Sequence, residues 1–146
     1  MKTNDKAPYE ELDRNIVQLV EALNSFDGIR TIGSCGGHSN PKVGQMSEGE
    51  WLITFMVDHT EDGWFALEFL TWFINSNLAR NGYQVMLTPC AFPPYHNVPC
   101  ESLYFALDGE DIDADWVAEE LVTTKDSFYV TPAVMDAILE AEVEVV

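Results

Sequence analysis

Basic residues are scarce in this chain of 146 residues, which has 7 Lys and Arg against 25 Asp and Glu and a formal net charge of −18. Binding DNA or RNA through phosphates needs clustered Lys and Arg, and an anionic membrane surface attracts the same residues. The composition therefore predicts no nucleic-acid partner and no membrane partner. A basic protein is compatible with this charge, which also favours solubility.

Long hydrophobic runs are missing as well. The longest candidate, 64–78, is interrupted by polar residues such as Glu68 and Asn75, whereas a transmembrane helix needs about 20 apolar residues in a row. The start of the chain shows no apolar core of a signal peptide. The three cysteines are too few for a disulfide scaffold and fit a reducing compartment, so we expect a cytoplasmic protein.

Apolar residues are nevertheless plentiful. Hydrophobic residues make up 47% of the chain and aromatic residues 12%, which is enough for the packed core that disordered chains lack. The length fits one domain, and repeats and low-complexity tracts are absent. We therefore predict a single domain over residues 1–146, with a flexible segment at residues 1–7.

Hydrophobic periodicity and turn signals predict eight secondary-structure elements. Apolar residues recur at helical spacing before an Asp-Gly turn at residues 27–28, and Thr60 is a cap for the second helix. Prolines exclude a regular element over residues 89–100. The predicted helices cover residues 8–26, 61–80, 113–123 and 132–141, and the predicted strands cover residues 29–33, 51–58, 83–88 and 102–108.

The order α-β-β-α-β-β-α-α predicts an α+β two-layer sandwich, with the helices on one face of a mostly antiparallel sheet. No crossover helix separates strands 1 and 2 or strands 3 and 4, so each pair is most simply antiparallel. The second helix is apolar nearly all round, so we expect it to pack on the sheet and on a second subunit. The valines of the tail 143–146 also favour a homo-oligomer, because they can extend a neighbour's sheet.

A Gly-rich loop, residues 33–40, follows the first predicted strand directly. Its two adjacent glycines allow positive φ, and successive N–H groups of such a loop form an anion-binding nest. His38 adds a group that titrates near neutral pH. An ordinary connection without a ligand is the alternative. The candidate ligand-binding residues here are Ser34, Cys35, Gly36, Gly37, His38, Ser39, Asn40 and Lys42.

A second loop, residues 90–100, is stiffened by prolines and carries Tyr95, His96 and Asn97 as further ligand-binding candidates. A rigid loop with polar and aromatic groups is typical of a pocket wall, although a structured surface connection is an equal alternative. The two loops would face each other across one pocket if strands 1 and 3 end at the same edge of the sheet.

These loops also hold five potential zinc ligands. No Cys-x2-Cys pair is present and the spacing within the second loop is unusual for zinc, so we favour free cysteines packed as small apolar residues and predict no metal and no cofactor. A reactive thiolate at Cys35 beside His96 is a further alternative. The five residues are Cys35, His38, Cys90, His96 and Cys100.

Acidic residues are concentrated toward the end of the chain. Residues 101–146 hold 13 of the 25 acids and a single basic residue, Lys125. A solvated face is the ordinary interpretation of such a run, and a docking surface for a basic partner is the alternative.

The run of residues 19–38 resembles small uncharacterised phage and bacterial proteins, in which a helix ending in Leu-Asn precedes a strand and Ser-Cys-x-Gly-His. More remotely, it resembles the tRNA wybutosine-synthesis methyltransferases (the third protein of that pathway), which have Ser-Ser-Cys-Ser-Gly-Arg on an α+β fold. Ser34, Cys35 and Gly37 match that motif, whereas Gly33 and His38 replace its first serine and its arginine. The resemblance implies an S-adenosylmethionine-dependent reaction on tRNA or, for the phage proteins, counter-defence in the host cytoplasm.

Three functional hypotheses follow. The first is a small-molecule-binding protein without catalysis, with an anionic or nucleotide-like ligand, which acts in counter-defence by sequestering an immune signal. The second is a methyltransferase-like or hydrolase-like enzyme that uses Cys35, His38 and His96. The third is an acidic inhibitor that docks on a basic host protein. We favour binding over catalysis.

Overall fold

The computed structural model describes residues 12–43, 45–90, 102–128 and 140. It confirms an α+β fold in which helices pack on one face of a four-stranded sheet. The helices are α1 (Val17–Asn24), α2 (Glu61–Leu70), which continues as a π-helical segment (Thr71–Leu78), and α3 (Ala114–Phe128). The strands are β1 (Ile29–Cys35), β2 (Glu50–Asp58), β3 (Val85–Cys90) and β4 (Ser102–Glu110).

The strands lie in the order β1-β2-β4-β3, and every neighbouring pair is antiparallel. The two antiparallel pairs predicted from the sequence, β1 with β2 and β3 with β4, are therefore confirmed. The central strand β2 alternates buried and half-buried side chains along its whole length, as expected for a sheet covered on one face. The buried side chains of β2 are Trp51, Ile53, Phe55 and Val57.

The core lies between this face of the sheet and the helices. The buried apolar side chains of the described residues form one cluster, in which α1 and α3 pack against each other and α2 packs on β2. Phe69 and Phe73 stack in it with ring centroids 5.6 Å apart, and Phe55 of β2 stacks on Phe105 of β4 at 6.1 Å. No helix in the described part of the chain is long and apolar enough to cross a membrane.

The predicted second helix, 61–80, is confirmed in position and corrected in type. Its cap is the predicted one, since the Thr60 hydroxyl accepts the Gly63 N–H at 3.2 Å. The helical run ends before Gly82, whose φ of +92° is typical of a helix stop. Its second half is π-helical and carries Asn75, which donates to the Leu87 carbonyl and accepts the Leu87 N–H, both at 3.1 Å. This amide therefore satisfies backbone groups of the edge strand β3.

The exclusion of regular structure over residues 89–100 is wrong for its first two residues. Strand β3 runs through Pro89 to Cys90 and begins at Val85 rather than at the predicted residue 83. Because β3 is an edge strand, a proline there need not remove a hydrogen bond from the sheet.

Other predicted boundaries also shift. Within the described residues the first helix begins at Val17, because residues 12–16 form turns that include a hydrogen bond from the Ile16 N–H to the Asp13 carbonyl at 3.1 Å. Strands β1 and β4 each extend two residues beyond their predicted ends, and α3 extends to Phe128. The predicted helix 132–141 lies, apart from residue 140, outside the described residues, and so does the tail 143–146.

Candidate functional site

A β-bulge in β1 decides which face of the sheet Cys35 occupies. The pairing with β2 shifts by one residue between Thr31 and Gly33. Buried Asn24 borders this shift, because its amide donates to Thr31 Oγ1 at 2.9 Å and its Oδ1 accepts the Thr31 N–H at 3.0 Å. A one-residue shift moves every later side chain to the other face. Cys35 consequently lies opposite Leu52, which is only half-buried, and not opposite a core residue.

The loop after β1 is held from two sides. The Gly36 N–H donates to Asp13 Oδ2 at 2.8 Å, and Asn15 Nδ2 donates to the Gly36 carbonyl at 2.7 Å. On the other side, the His38 N–H donates to the Met46 carbonyl at 2.9 Å. These hydrogen bonds fix the loop between the turn that precedes α1 and the segment that leads into β2.

Both glycines of the loop are required by close packing. A Cβ on Gly36 would overlap the side-chain amide of Asn15, and a Cβ on Gly37 would overlap the Glu50 carbonyl. Gly37 also has a φ of +92°, a conformation that L side chains rarely adopt. A side chain at Gly37 would therefore push the loop away from the backbone of β2, and one at Gly36 would displace the Asn15 amide that anchors the loop.

These anchors bring Asp13, Cys35 and His38 together. One ligand atom of each, a carboxylate oxygen, the thiol sulfur and an imidazole nitrogen, lies within 4.8 Å of the other two, and all three residues are half-buried. His38 Nε2 is 3.4 Å from Asp13 Oδ2, and Cys35 Sγ accepts the Met46 N–H at 3.4 Å. Within the described ranges this is the only group of three such side chains.

Sequence reasoning found Cys35 and His38 but missed Asp13. This aspartate stands 22 residues before Cys35, in a stretch that the periodicity predicts to be helical. No local pattern distinguishes it from the other acids of the chain. Its role becomes visible only through the hydrogen bond to Gly36, which joins two segments distant in sequence.

The predicted anion nest already contacts an anionic side chain of the protein. Because the Gly36 N–H donates to the Asp13 carboxylate, an external anion would compete with this hydrogen bond. The Lys42 N–H likewise donates to Gln45 Oε1 at 2.9 Å. Of the other predicted site residues, Ser34 is half-buried and lies in β1 rather than in the loop, whereas Ser39, Asn40 and Lys42 are exposed.

The second predicted loop, residues 90–100, does not begin beside the Gly-rich loop, residues 33–40. Three antiparallel pairings separate β1 from β3, so these edge strands run in opposite directions. Their last residues, Cys35 and Cys90, lie at opposite ends of the sheet, about 20 Å apart by the usual strand and residue spacings. Strands β1 and β3 therefore do not end at the same edge of the sheet, as a pocket shared by the two loops would require. Tyr95, His96 and Asn97 lie outside the described residues.

An open cavity of about 520 Å³ lies beside the Cys35 loop, where β2 begins and β4 ends. Glu50 of β2 and Glu110 of β4 stand directly opposite each other, and Asp108 is on the same face because side chains alternate along a strand. We call this cavity the acidic groove. It is lined by Met46, Glu50, Ala79, Tyr83, Gln84, Val85, Met86, Asp108, Gly109 and Glu110, and none of these lining residues is basic.

The groove gathers three carboxylates, those of Glu50, Asp108 and Glu110, in one place. Glu50 and Glu110 stand directly opposite each other, and like charges in such positions generally destabilise a pair of strands. Partial burial also raises the pKa of the Asp108 carboxyl. A positive charge in the groove would relieve both effects. The sequence does not reveal this group, because its members come from two different strands.

The loop and the groove share residues at one end of the sheet. Met46 lines the groove, and its backbone hydrogen-bonds to both Cys35 and His38. No protein-family model, curated protein or solved structure matches this chain. The functional interpretation therefore rests on the side chains gathered here.

Proposed function

We propose that this chain is a binding protein without catalysis that takes a small organic cation in the acidic groove. The observation that carries the proposal is the convergence of Glu50, Asp108 and Glu110 on one cavity of about 520 Å³. Small-molecule sites have volumes of about 300–1,000 Å³. Because the groove is negatively charged, it favours a positively charged ligand.

The remaining walls also suit an organic cation. Tyr83 and Met86 line the groove and are 43% and 54% exposed, so an aromatic face and an apolar side chain are accessible to a ligand. Three carboxylates disfavour the anionic, nucleotide-like ligand that the loop composition suggests. The further role, sequestration of an immune signal as counter-defence in the host cytoplasm, rests on the resemblance to phage proteins and belongs to this proposal.

A basic protein segment is the second candidate ligand. Acidic residues continue from the groove into α3, where burial and the neighbouring Asp113 and Glu119 raise the pKa of Asp115. Such crowding of carboxylates favours a Lys-rich or Arg-rich segment over a neutral one. A short Lys-rich peptide therefore belongs in the same binding experiment.

Titration calorimetry with spermidine, agmatine, the Lys-rich peptide and adenosine monophosphate tests the proposal. We expect an amine to bind without turnover and the nucleotide not to bind. The double variant Asp108→Asn/Glu110→Gln should weaken amine binding at least about tenfold, since a hydrogen bond to a charged group contributes about 1.5–3 kcal/mol. Binding should also weaken as the pH falls through the raised pKa of Asp108, because protonation removes one of the three charges.

A matched variant separates the groove from the overall charge of the chain. Glu119→Gln/Asp126→Asn removes two acids from α3 and changes the net charge by the same amount, so it should leave amine binding within about twofold. If both double variants lost the same amount of amine affinity, the amine would be attracted only by the overall negative charge of the chain. Binding of the nucleotide alone would contradict the groove as the site. Conversion of any ligand would favour the enzyme that uses Cys35 and His38.

We also propose that the chain is a homo-oligomer that associates through one face of α2 and of the π-helical segment that continues it. Trp64 and Trp72 are 62% and 41% exposed, and monomers rarely leave large contiguous apolar patches in water. Trp64, Glu68 and Trp72 follow one another at a spacing of four residues, which places them on one side of the helix. We call this surface the tryptophan stripe. It surrounds a second cavity of about 360 Å³ lined by Trp64, Leu67, Glu68, Thr71, Trp72 and Ser76.

Replacing Trp64 with serine should shift the molar mass measured by light scattering toward that of a monomer, because it removes the largest exposed apolar side chain of the stripe. The control is Val122→Ser on α3, a residue that is 44% exposed and does not line that cavity. A wild-type chain that stays monomeric at the highest reachable concentration would contradict the proposal.

A further inference from the structure

The Asp13, Cys35 and His38 cluster combines the three side-chain types that bind zinc in proteins. Thiolate, imidazole and carboxylate are its usual ligands, and three protein ligands with one open position are typical of reactive zinc sites. The cluster joins the turn before α1, the last residue of β1 and the loop that follows. It shares Cys35 and His38 with the five potential ligands in the sequence, for which the spacing predicts no metal, and it adds Asp13.

The distance between the His38 imidazole and the Asp13 carboxylate fits a shared metal ion better than a direct hydrogen bond. His38 Nε2 and Asp13 Oδ2 are 3.4 Å apart, whereas a charge-assisted hydrogen bond between such groups measures about 2.7–2.9 Å. Two ligand atoms at about 2.0–2.1 Å from a tetrahedral zinc ion lie about 3.3–3.4 Å apart. The imidazole and the carboxylate therefore already have the spacing of two zinc ligands, and the thiol sulfur lies within 4.8 Å of both.

The surroundings of the cluster support charged ligands. Asp13 Oδ2 accepts the Gly36 N–H at 2.8 Å, and Cys35 Sγ accepts the Met46 N–H at 3.4 Å. Donors of this kind orient metal-binding carboxylates and thiolates. The His38 and Asp13 side chains keep 32% and 38% exposure, so an ion and a fourth ligand can reach them from solvent.

We propose that Asp13, Cys35 and His38 form a Zn²⁺ site with three protein ligands. Its fourth position is open to water. The site stands independently of amine binding, because the two use different side chains. Met46 connects them, since it lines the acidic groove and contacts both Cys35 and His38 through its backbone.

The wild-type chain tests the site without any substitution. After metal removal with a chelator, native mass spectrometry during titration with Zn²⁺ should show one ion per chain. Zinc should slow alkylation of Cys35 at least about tenfold, because a coordinated thiolate is protected, and should leave Cys90 unaffected. Co²⁺ in place of Zn²⁺ should give a thiolate-to-cobalt charge-transfer band. The lack of zinc uptake or of that band, or equal protection of the cysteines, would overturn the proposal.

Two conservative variants assign the ligands. Asp13→Asn keeps a side-chain carbonyl oxygen, and Cys35→Ser replaces the sulfur with a hydroxyl oxygen, so each variant can still accept the N–H that holds the loop. Each should lower zinc affinity at least about 100-fold, since loss of mere outer contacts already lowers it about 10–100-fold. Cys90→Ser and His59→Gln are the matched controls and should bind zinc like the wild type. Loss of binding in Cys90→Ser, with retention in Cys35→Ser, would contradict the assignment.

Discussion

Phe69→Ala is expected to lower the free energy of unfolding by about 3–5 kcal/mol, the range observed for large aromatic side chains in cores. Phe69 is fully buried. Its ring centroid lies 5.8 Å from that of Phe26, 6.3 Å from Trp72, 5.6 Å from Phe73 and 5.0 Å from Phe128. Truncation therefore removes the side chain that joins these rings and leaves a cavity among them.

Urea unfolding measures this loss, because the transition midpoint shifts while its slope stays constant if only stability changes. The control is Phe65→Ala on the same helix. Phe65 is 48% exposed, so its truncation should cost about 1 kcal/mol. Equal effects of the two substitutions would show that Phe69 is not the centre of the core.

Gly63→Ala is expected to destabilise the protein by at least about 2 kcal/mol, although alanine is favoured over glycine inside a helix by about 1 kcal/mol. A Cβ at Gly63 would overlap the carbonyl oxygen of Asp58. The backbone of Gly63 also lies against Gly28, where an added Cβ would overlap it. Because the obstacles are backbone atoms, no side-chain rotation can relieve them.

Gly33→Ala is the matched control for that substitution. The nearest atom to a Cβ at Gly33 is Thr54 Oγ1 at 3.0 Å, which is the end of a side chain that can rotate. We expect a loss below about 1 kcal/mol in thermal or urea unfolding. A Gly63→Ala protein as stable as the wild type would contradict the close approach of α2 to Asp58 at the end of β2.

The two proposed binding events can be measured separately. Amine titration in the presence of a chelator reports only on the acidic groove, and zinc titration without amine reports only on Asp13, Cys35 and His38. Zinc uptake without amine binding would contradict the proposed function and would support the metal site. Amine binding without zinc uptake would support the acidic groove as a binding site and would contradict the metal site.

Local chemistry made much of the fold predictable. Thr60 caps α2 as predicted because a hydroxyl and an N–H three residues later meet within one turn. The alternation of β2 is equally local, since successive side chains of a strand point to opposite faces. The π-helical half of the second helix was not predictable, because its Asn75 contacts a strand that lies further along the chain.

The candidate site was predictable only in part. The pair of glycines and the short spacing between Cys35 and His38 are visible in the sequence. Asp13 is not, because it reaches the loop through a contact between segments far apart in the chain. The direction of β3 relative to β1 is also absent from the sequence, and it places Cys90 at the other end of the sheet from Cys35.

The charge of this protein, the class of its fold and the place of the Gly-rich loop follow from its residues alone, because composition and short-range periodicity suffice for these. In contrast, the contact of Cys35 with Asp13 and the pairing of Glu50 with Glu110 emerge only in the folded chain. The bulge in β1 sets the face of the sheet on which Cys35 lies, and the register between β2 and β4 places Glu50 opposite Glu110. Both depend on pairing between strands that are distant in sequence. A one-residue slip would separate each pair without changing a single local pattern.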